Sequence, residues 1–501
     1  MKRAARPGIG AGLSAVLRRG LWAFAPFLVA CGDPPKDGEG EPRDVTWYQN
    51  IQPLMQENCA GCHFSGSQLV GGAFDNYEAT KAYGSAILAK LRGDTDAPFN
   101  MPPYPPIDEA DDCQIPGPLR DDPRLSAEEV RMFARWVDEG ALEGDAARAA
   151  PFNPQPPSAL EGEDVLEFPG VHHTVPAARA DRITGIVDYD HTQCFSIGID
   201  PDEDVLLSGF AVVADDRNPG TVHHVIIGTD PYGDTYPASA HEDAYDGAFH
   251  PCESASPRQS VLMYTFTPGG FPLNLPPDSA YPLRAGARLT FTIHYHRGQT
   301  EVVDETSMRL RVTSEPPTYM AYMGRFGGAS TTQQSWVYRH GGAHGGWDKH
   351  VGDTPFRLPA NDPDYHMVWK EDNTLTRDYP IWAVFPHMHY AGSDIRISLD
   401  HTDGTETCLG HIAPFDFNWQ ITYQYDRPLD ELPVFRGTED GTRDGDTVKV
   451  NCHYDNTMAN DRLRDALLAN GFTEPFDMFV GEDGFDEMCV MHYGLIIPWP
   501  S

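Results

Sequence analysis

Phe385-Pro386-His387-Met388-His389-Tyr390, followed by Ile395-Arg396-Ile397-Ser398-Leu399, decides how the rest of the chain is read. In the second run apolar and polar residues alternate, the pattern of a β-strand with one buried face. In the first, two imidazoles stand one residue apart on an extended segment and so project from the same face. Two imidazoles on a rigid sheet are half a metal site. Three other places offer matching ligands: His223-His224, His294-Tyr295-His296, and Met488 in Asp486-Glu487-Met488-Cys489. Four such places suggest two metal ions.

Working outward, short apolar runs at 209–213, 222–228, 288–296 and 447–452 recur between turns. Helical periodicity is scarce beyond residue 163, so this part reads as β-sandwich domains. His223 and His224 follow the turn Asn218-Pro219-Gly220 and open a strand, where neighbouring side chains point to opposite faces. Both reach one ion only if the backbone twists or bulges there. His294 and His296 share a strand face with Thr290 and Thr292, and spacing does not choose between them. The Gly/His-rich stretch from Arg339 to His350 reads as a loop with some capacity for extra metal.

The N-terminal part carries a different chemistry. Cys59-Ala60-Gly61-Cys62-His63 is the C-x-x-C-H of covalent haem c attachment, in which two thiols bond the vinyl groups and His63 becomes the proximal iron ligand. The other reading of this spacing is a redox or zinc C-x-x-C. A helical run with Ile51, Leu54 and Met55 leads into the motif. Met101, in Asn100-Met101-Pro102-Pro103, offers the sixth ligand. Met132 is the alternative, but it lies in a helix that opens with the capping box Ser126-x-x-Glu129 and runs through Val130, Phe133, Trp136 and Val137 to Gly140, where inward positions are core. Residues 45–145 resemble a small all-α class I c-type cytochrome domain, and the Ala/Pro/Gly-rich segment 146–163 is a linker.

Length and charge set the frame. A chain of 501 residues with 40% hydrophobic residues builds about three domains rather than a disordered scaffold. A formal charge of −37 without sizeable basic patches argues against a nucleic-acid partner. Residues 1–30 read as an export signal, with Lys2, Arg3, Arg6, Arg18 and Arg19 ahead of a short apolar stretch. Leu28-Val29-Ala30-Cys31 resembles a bacterial lipoprotein processing box, which makes Cys31 the lipidated residue, 31–44 a tether, and the bacterial cell envelope the location. An ordinary cleaved signal is the alternative, leaving a soluble periplasmic protein.

The order His-His, His-Tyr, His-x-His, Glu-Met-Cys between residues 223 and 489 resembles the copper type II ascorbate-dependent monooxygenases, which include the peptidylglycine α-hydroxylating and dopamine β-monooxygenases. Phe417-Asn418-Trp419-Gln420 and Asn451-Cys452-His453-Tyr454-Asp455-Asn456 are supporting matches. The resemblance implies two all-β, jelly-roll-like copper-binding domains, 164–313 and 314–501. It places an electron-storing copper on His223, His224 and His294 and the catalytic copper on His387, His389 and Met488. Imidazole with thioether suits copper cycling between Cu(II) and Cu(I). A blue-copper site needs a cysteine thiolate, and Cys489 has another use. The resemblance pairs Cys194 with Cys252 and Cys452 with Cys489; Cys113 and Cys408 pair across domains or stay free.

Two departures bear on substrate. The basic residue by which the peptide-amidating enzymes grip a carboxylate is replaced by Phe385, and beyond Met488 stand Val490-Met491-His492-Tyr493. A neutral apolar or aromatic molecule therefore fits better than a peptide C-terminus. The expected activity is hydroxylation of a C–H bond of a small organic molecule by O2, with an external donor feeding electrons through the haem. The competing class is a haem- and copper-holding electron carrier without substrate turnover.

Overall fold

Strand Thr447–Tyr454 shows how these sequences become sheets: Val448, Val450, Cys452 and Tyr454 are buried while Lys449, Asn451 and His453 face the other side. Arg288–His296 likewise buries residues from Leu289 to Tyr295 against its neighbours, and Phe291 stacks on its cross-strand partner Phe195 with centroids 4.4 Å apart. Such cross-strand pairs are the unit of sheet stabilisation. The strands expected from sequence are all present, and the chain is mostly β-sheet with few helices, packed as β-sandwiches.

The computed structural model describes residues 44–60, 63, 73–92, 101, 113, 118–151, 160, 164–168, 172–180, 187–198, 203–215, 217–218, 220–230, 261–267, 270–314, 317–327, 336–339, 348–350, 356–373, 375–417, 419–439, 441, 444–481 and 484–499. The export signal, Cys31, Cys62, Cys252, most of the linker and the centre of the Gly/His-rich stretch lie outside these. Among the described residues no helix is long and apolar enough to cross a membrane.

Among the described residues three sheets dominate. The largest has ten strands, eight of them in the order Val165–Phe168, Ser307–Thr313, Val205–Val213, Ser279–Leu283, Tyr319–Gly327, Val490–Pro498, Tyr379–His387 and Tyr423–Gln424. A four-stranded sheet, Asp190–Gly198, Arg288–His296, Val222–Asp230 and Val261–Phe266, belongs to the first half. A six-stranded sheet built on Tyr365–Asp372, Thr447–Tyr454, Gly392–Asp400 and Glu406–Ile412 belongs to the second. The large sheet is continuous across residues 313/314: Tyr319–Gly327 pairs in parallel with Ser279–Leu283 and antiparallel with Val490–Pro498. One apolar core accordingly runs through all three sheets.

Four α-helices are described: α1 (Gln52–Asn58), α2 (Tyr77–Arg92), α3 (Ala127–Asp138) and α4 (Asp461–Ala469). The capping box of α3 is present, with Ser126 Oγ accepting from the Glu129 amide and the Glu129 carboxylate accepting from the Ser126 amide. Phe133 and Trp136 are fully buried with Trp47, Ile51 and Met55 in a second, separate core. The chain between α2 and α3 is fastened to the sheets. Cys113 is bonded to Cys408, 295 residues away, and Leu119 bridges Tyr425 beside the short strand Tyr423–Gln424. This resolves the open question of Cys113 and Cys408 in favour of a pair.

Candidate metal centre

The first histidine group is made by a fault in strand pairing. Arg288–His296 and Val222–Asp230 pair regularly until His294 meets His224; the register then slips, Tyr295 meeting Val222, so His223 is the extra residue. A bulge re-aims the side chain it releases, and it is the distortion that adjacent histidines require to converge. Nδ1 of His223 lies 3.1 Å from Nδ1 of His224 and 3.2 Å from Nδ1 of His294. All three rings are buried, and their ligand atoms lie within 4.8 Å of one another. His296 instead stacks flat on His223, centroids 4.2 Å apart, and supports the group from one side. Burial, then the neighbouring His294, holds the His224 imidazole well below its ordinary pKa, so it is neutral and able to donate a lone pair.

The second group sits at the end of the strand Tyr379–His387. Val384 and Pro386 face Ile397 and Leu409 of the six-stranded sheet, which puts Phe385 and His387 on the opposite face. The chain then turns tightly: a Cβ on Gly392 would lie 2.8 Å from Met388 Cβ, so the turn after His389 depends on glycine. Nε2 of His387 and Nε2 of His389 are 3.2 Å apart. Their other nitrogens are taken: Nδ1 of His387 bonds Gln420 Oε1, and Nδ1 of His389 lies 3.1 Å from the Asp486 carbonyl. Gln420 Nε2 donates to the Phe417 carbonyl at 2.7 Å, which turns its oxygen toward His387. Both acceptors require an N–H at Nδ1, so both Nε2 atoms carry lone pairs aimed at each other. Such a pair repels unless a cation lies between them.

Met488 lies in the segment that supplies the Asp486 carbonyl, and two features hold this segment. Cys452 is bonded to Cys489, Cα atoms 5.8 Å apart, and Tyr454 Oη donates to the Met488 carbonyl at 2.8 Å. The buried Glu487 carboxylate accepts from the amides of His389 (3.0 Å), Ala391 (2.8 Å) and Met488 (3.2 Å), locking the histidine turn to the methionine segment. Burial pushes its pKa up to about 8 against the opposing effect of those amides. Cys194 is also disulfide-bonded, while Cys252 lies outside the described residues.

Residues with no role assigned from sequence complete the surroundings. Phe417 stands between the groups, its centroid 5.0 Å from His223 and 5.5 Å from His389. A proton on His387 or His389 would depress the His224 imidazole further. Beside His387, Phe385, His492 and Arg325 form one row across three strands. The signal for Phe417 and Gln420 in the sequence was their quoted run; nothing local marked Arg325.

In the helical part, His63 donates its amide to the Cys59 carbonyl at 2.8 Å and its ring packs on Phe74 at 4.8 Å. The Met101 amide reaches the Lys90 carbonyl at 3.5 Å, and Met132 packs on the small core through α3.

No protein-family model matches the chain, and no curated protein is similar to it. Among solved structures, the major capsid protein P2 of bacteriophage PM2 aligns at 8% identity over 67% of this chain and 98% of its own, with a TM-score of 0.21. The VP2 subviral particle of infectious bursal disease virus aligns at 8% identity over 68% and 74%, with a TM-score of 0.16. Superposition at that level bears on neither the fold nor the activity.

Proposed function

We propose that this chain is a copper-dependent monooxygenase that hydroxylates a C–H bond of a small organic substrate with O2, drawing electrons from an external donor through a haem c on Cys59, Cys62, His63 and Met101, and anchored to the cell envelope by lipid on Cys31. The observation that carries the reading is the pair of convergent histidine groups on separate sheets with one aromatic ring between them. His223, His224 and His294 would hold one ion, and His387, His389 and Met488 the other. Three buried imidazoles in one set, and two imidazoles with the thioether proposed from Met488 in the other, fit copper better than a hard cation. Copper at these groups supplies one-electron redox cycling and activation of O2, one oxygen atom entering the substrate and the other leaving as water.

The chain's own residues prepare this chemistry. Gln420 and the Asp486 carbonyl fix the tautomers of His387 and His389. Glu487 and the Cys452–Cys489 bond keep the Met488 segment against the histidine turn. Phe417 packs between the groups, and Phe385 with His492 would offer a largely aromatic wall for substrate. The test is O2 uptake by the reduced protein against a panel of small organic molecules. Substrate-dependent uptake that disappears in His387→Ala/His389→Ala is expected. Reoxidation by O2 that no substrate accelerates would make the chain an electron carrier instead.

A further inference from the structure

On the far side of the six-stranded sheet from its core, a third group of ligands converges that neither proposed copper uses. Asp364 precedes strand Tyr365–Asp372, His366 lies two residues on, and His453 is the direct cross-strand partner of His366. Strand alternation sends Cys452 and Tyr454 inward and His453 outward. Nε2 of His366 is 3.0 Å from Asp364 Oδ1, and Nε2 of His453 is 3.1 Å from that same oxygen. The two imidazoles stack nearly parallel, 8° between planes and 4.2 Å between centroids, so their Nε2 atoms face the same way.

We propose that Asp364, His366 and His453 form a site for a divalent first-row transition-metal ion, independent of the copper reading above. The donor set is two imidazoles and one carboxylate with an open side, which zinc and non-haem iron sites use. The spacing agrees: ligands at ~2.1 Å from an ion stand about 3.0 Å apart at right angles and about 3.4 Å apart at the tetrahedral angle. A hydrogen bond also spans such distances, but the buried Nε2 of His453, 3.1 Å from Oδ1, makes no hydrogen bond there. Side-chain exposure of 43% at Asp364 leaves room for water to complete the coordination, while the rings at 15% and 27% are held by packing. Asp394 lies across from His453 and adds negative charge beside the group, favouring a dication.

The purified full-length protein, as isolated with its other metals, is equilibrated with Zn(II), stripped of unbound ion by gel filtration and assayed for zinc and copper per chain. His366→Ala/His453→Ala is expected to hold one zinc fewer than wild type at unchanged copper; equal zinc in the two proteins overturns the proposal. Copper content is read in the same sample, so failure of the copper reading shows separately. If the double variant does not fold, Asp364→Asn replaces it. That variant keeps an acceptor oxygen but should bind Zn(II) at least tenfold more weakly in competition with a chelator, and unchanged affinity overturns the site.

Discussion

Replacing Gln420 by leucine tests whether the second histidine group is built for an ion. Leucine matches glutamine in bulk but removes the acceptor for His387 Nδ1 and the donor to the Phe417 carbonyl. The first loss leaves a buried ring N–H unpaired, costing about 1–3 kcal/mol of stability. The second frees the loop that carries Phe417. With its tautomer no longer fixed, His387 presents Nε2 as a lone pair only part of the time. Loss of such an outer partner lowers metal affinity by about 10–100-fold, or about 1.4–2.8 kcal/mol. Cu(I) titration against a chromophoric chelator reads this directly, and the ion on His223, His224 and His294 serves as the internal reference. Gln420→Glu should recover most of the affinity, because a carboxylate restores the acceptor. A leucine variant that binds both ions as tightly as wild type would refute the assignment of Nε2 as the ligand atom.

Met488→Ala should abolish substrate hydroxylation while the ion on the three-histidine group stays bound; full activity, measured as product formed, would move the catalytic centre elsewhere, with Met491 the nearest substitute. Cys452→Ser/Cys489→Ser opens a loop of sequence separation 37, so stability to denaturant should fall by about 3–4 kcal/mol. His173 has its Nε2 3.1 Å from that of His191, and burial followed by the neighbouring His191 lowers its pKa to about 4. The unfolded chain, with an ordinary pKa near 6.5, takes up a proton that the folded state refuses, so this contribution is whole above pH 6.5 and lost as pH falls toward 4. Unfolding midpoints should therefore drop between pH 7 and 4.5, and drop less in His173→Gln.

Local pattern carried much of the fold. Alternation marked the strand through Ile395–Leu399, recurring apolar runs between turns marked 288–296 and 447–452, and the capping box marked α3; the bulge that adjacent histidines need to reach one ion is present where His294 pairs with His224. What stayed hidden depends on contacts between distant residues. Gln420 finds His387 across 33 residues, and Asp486 finds His389 across 97. Both stand in runs the sequence singles out, but nothing local says which histidine each one meets. The third ligand group was equally invisible, since His366 and His453 meet only because their strands share a register. The continuous ten-stranded sheet escaped for the same reason. Helix α4 is a different case: Asn460 caps it by accepting from the Leu463 amide and Gly471 follows it at φ 81°, signals present in the sequence but short beside the surrounding strands.

The most direct test of the proposed chemistry is a metal and haem inventory of the purified full-length protein, by elemental analysis and pyridine haemochrome absorbance. Two convergent histidine groups, the second with Met488 as its proposed further ligand, and one C-x-x-C-H motif lead to an expected two coppers and one haem per chain. One copper or none at saturation, or no covalent haem, would contradict a two-copper monooxygenase fed by its own cytochrome.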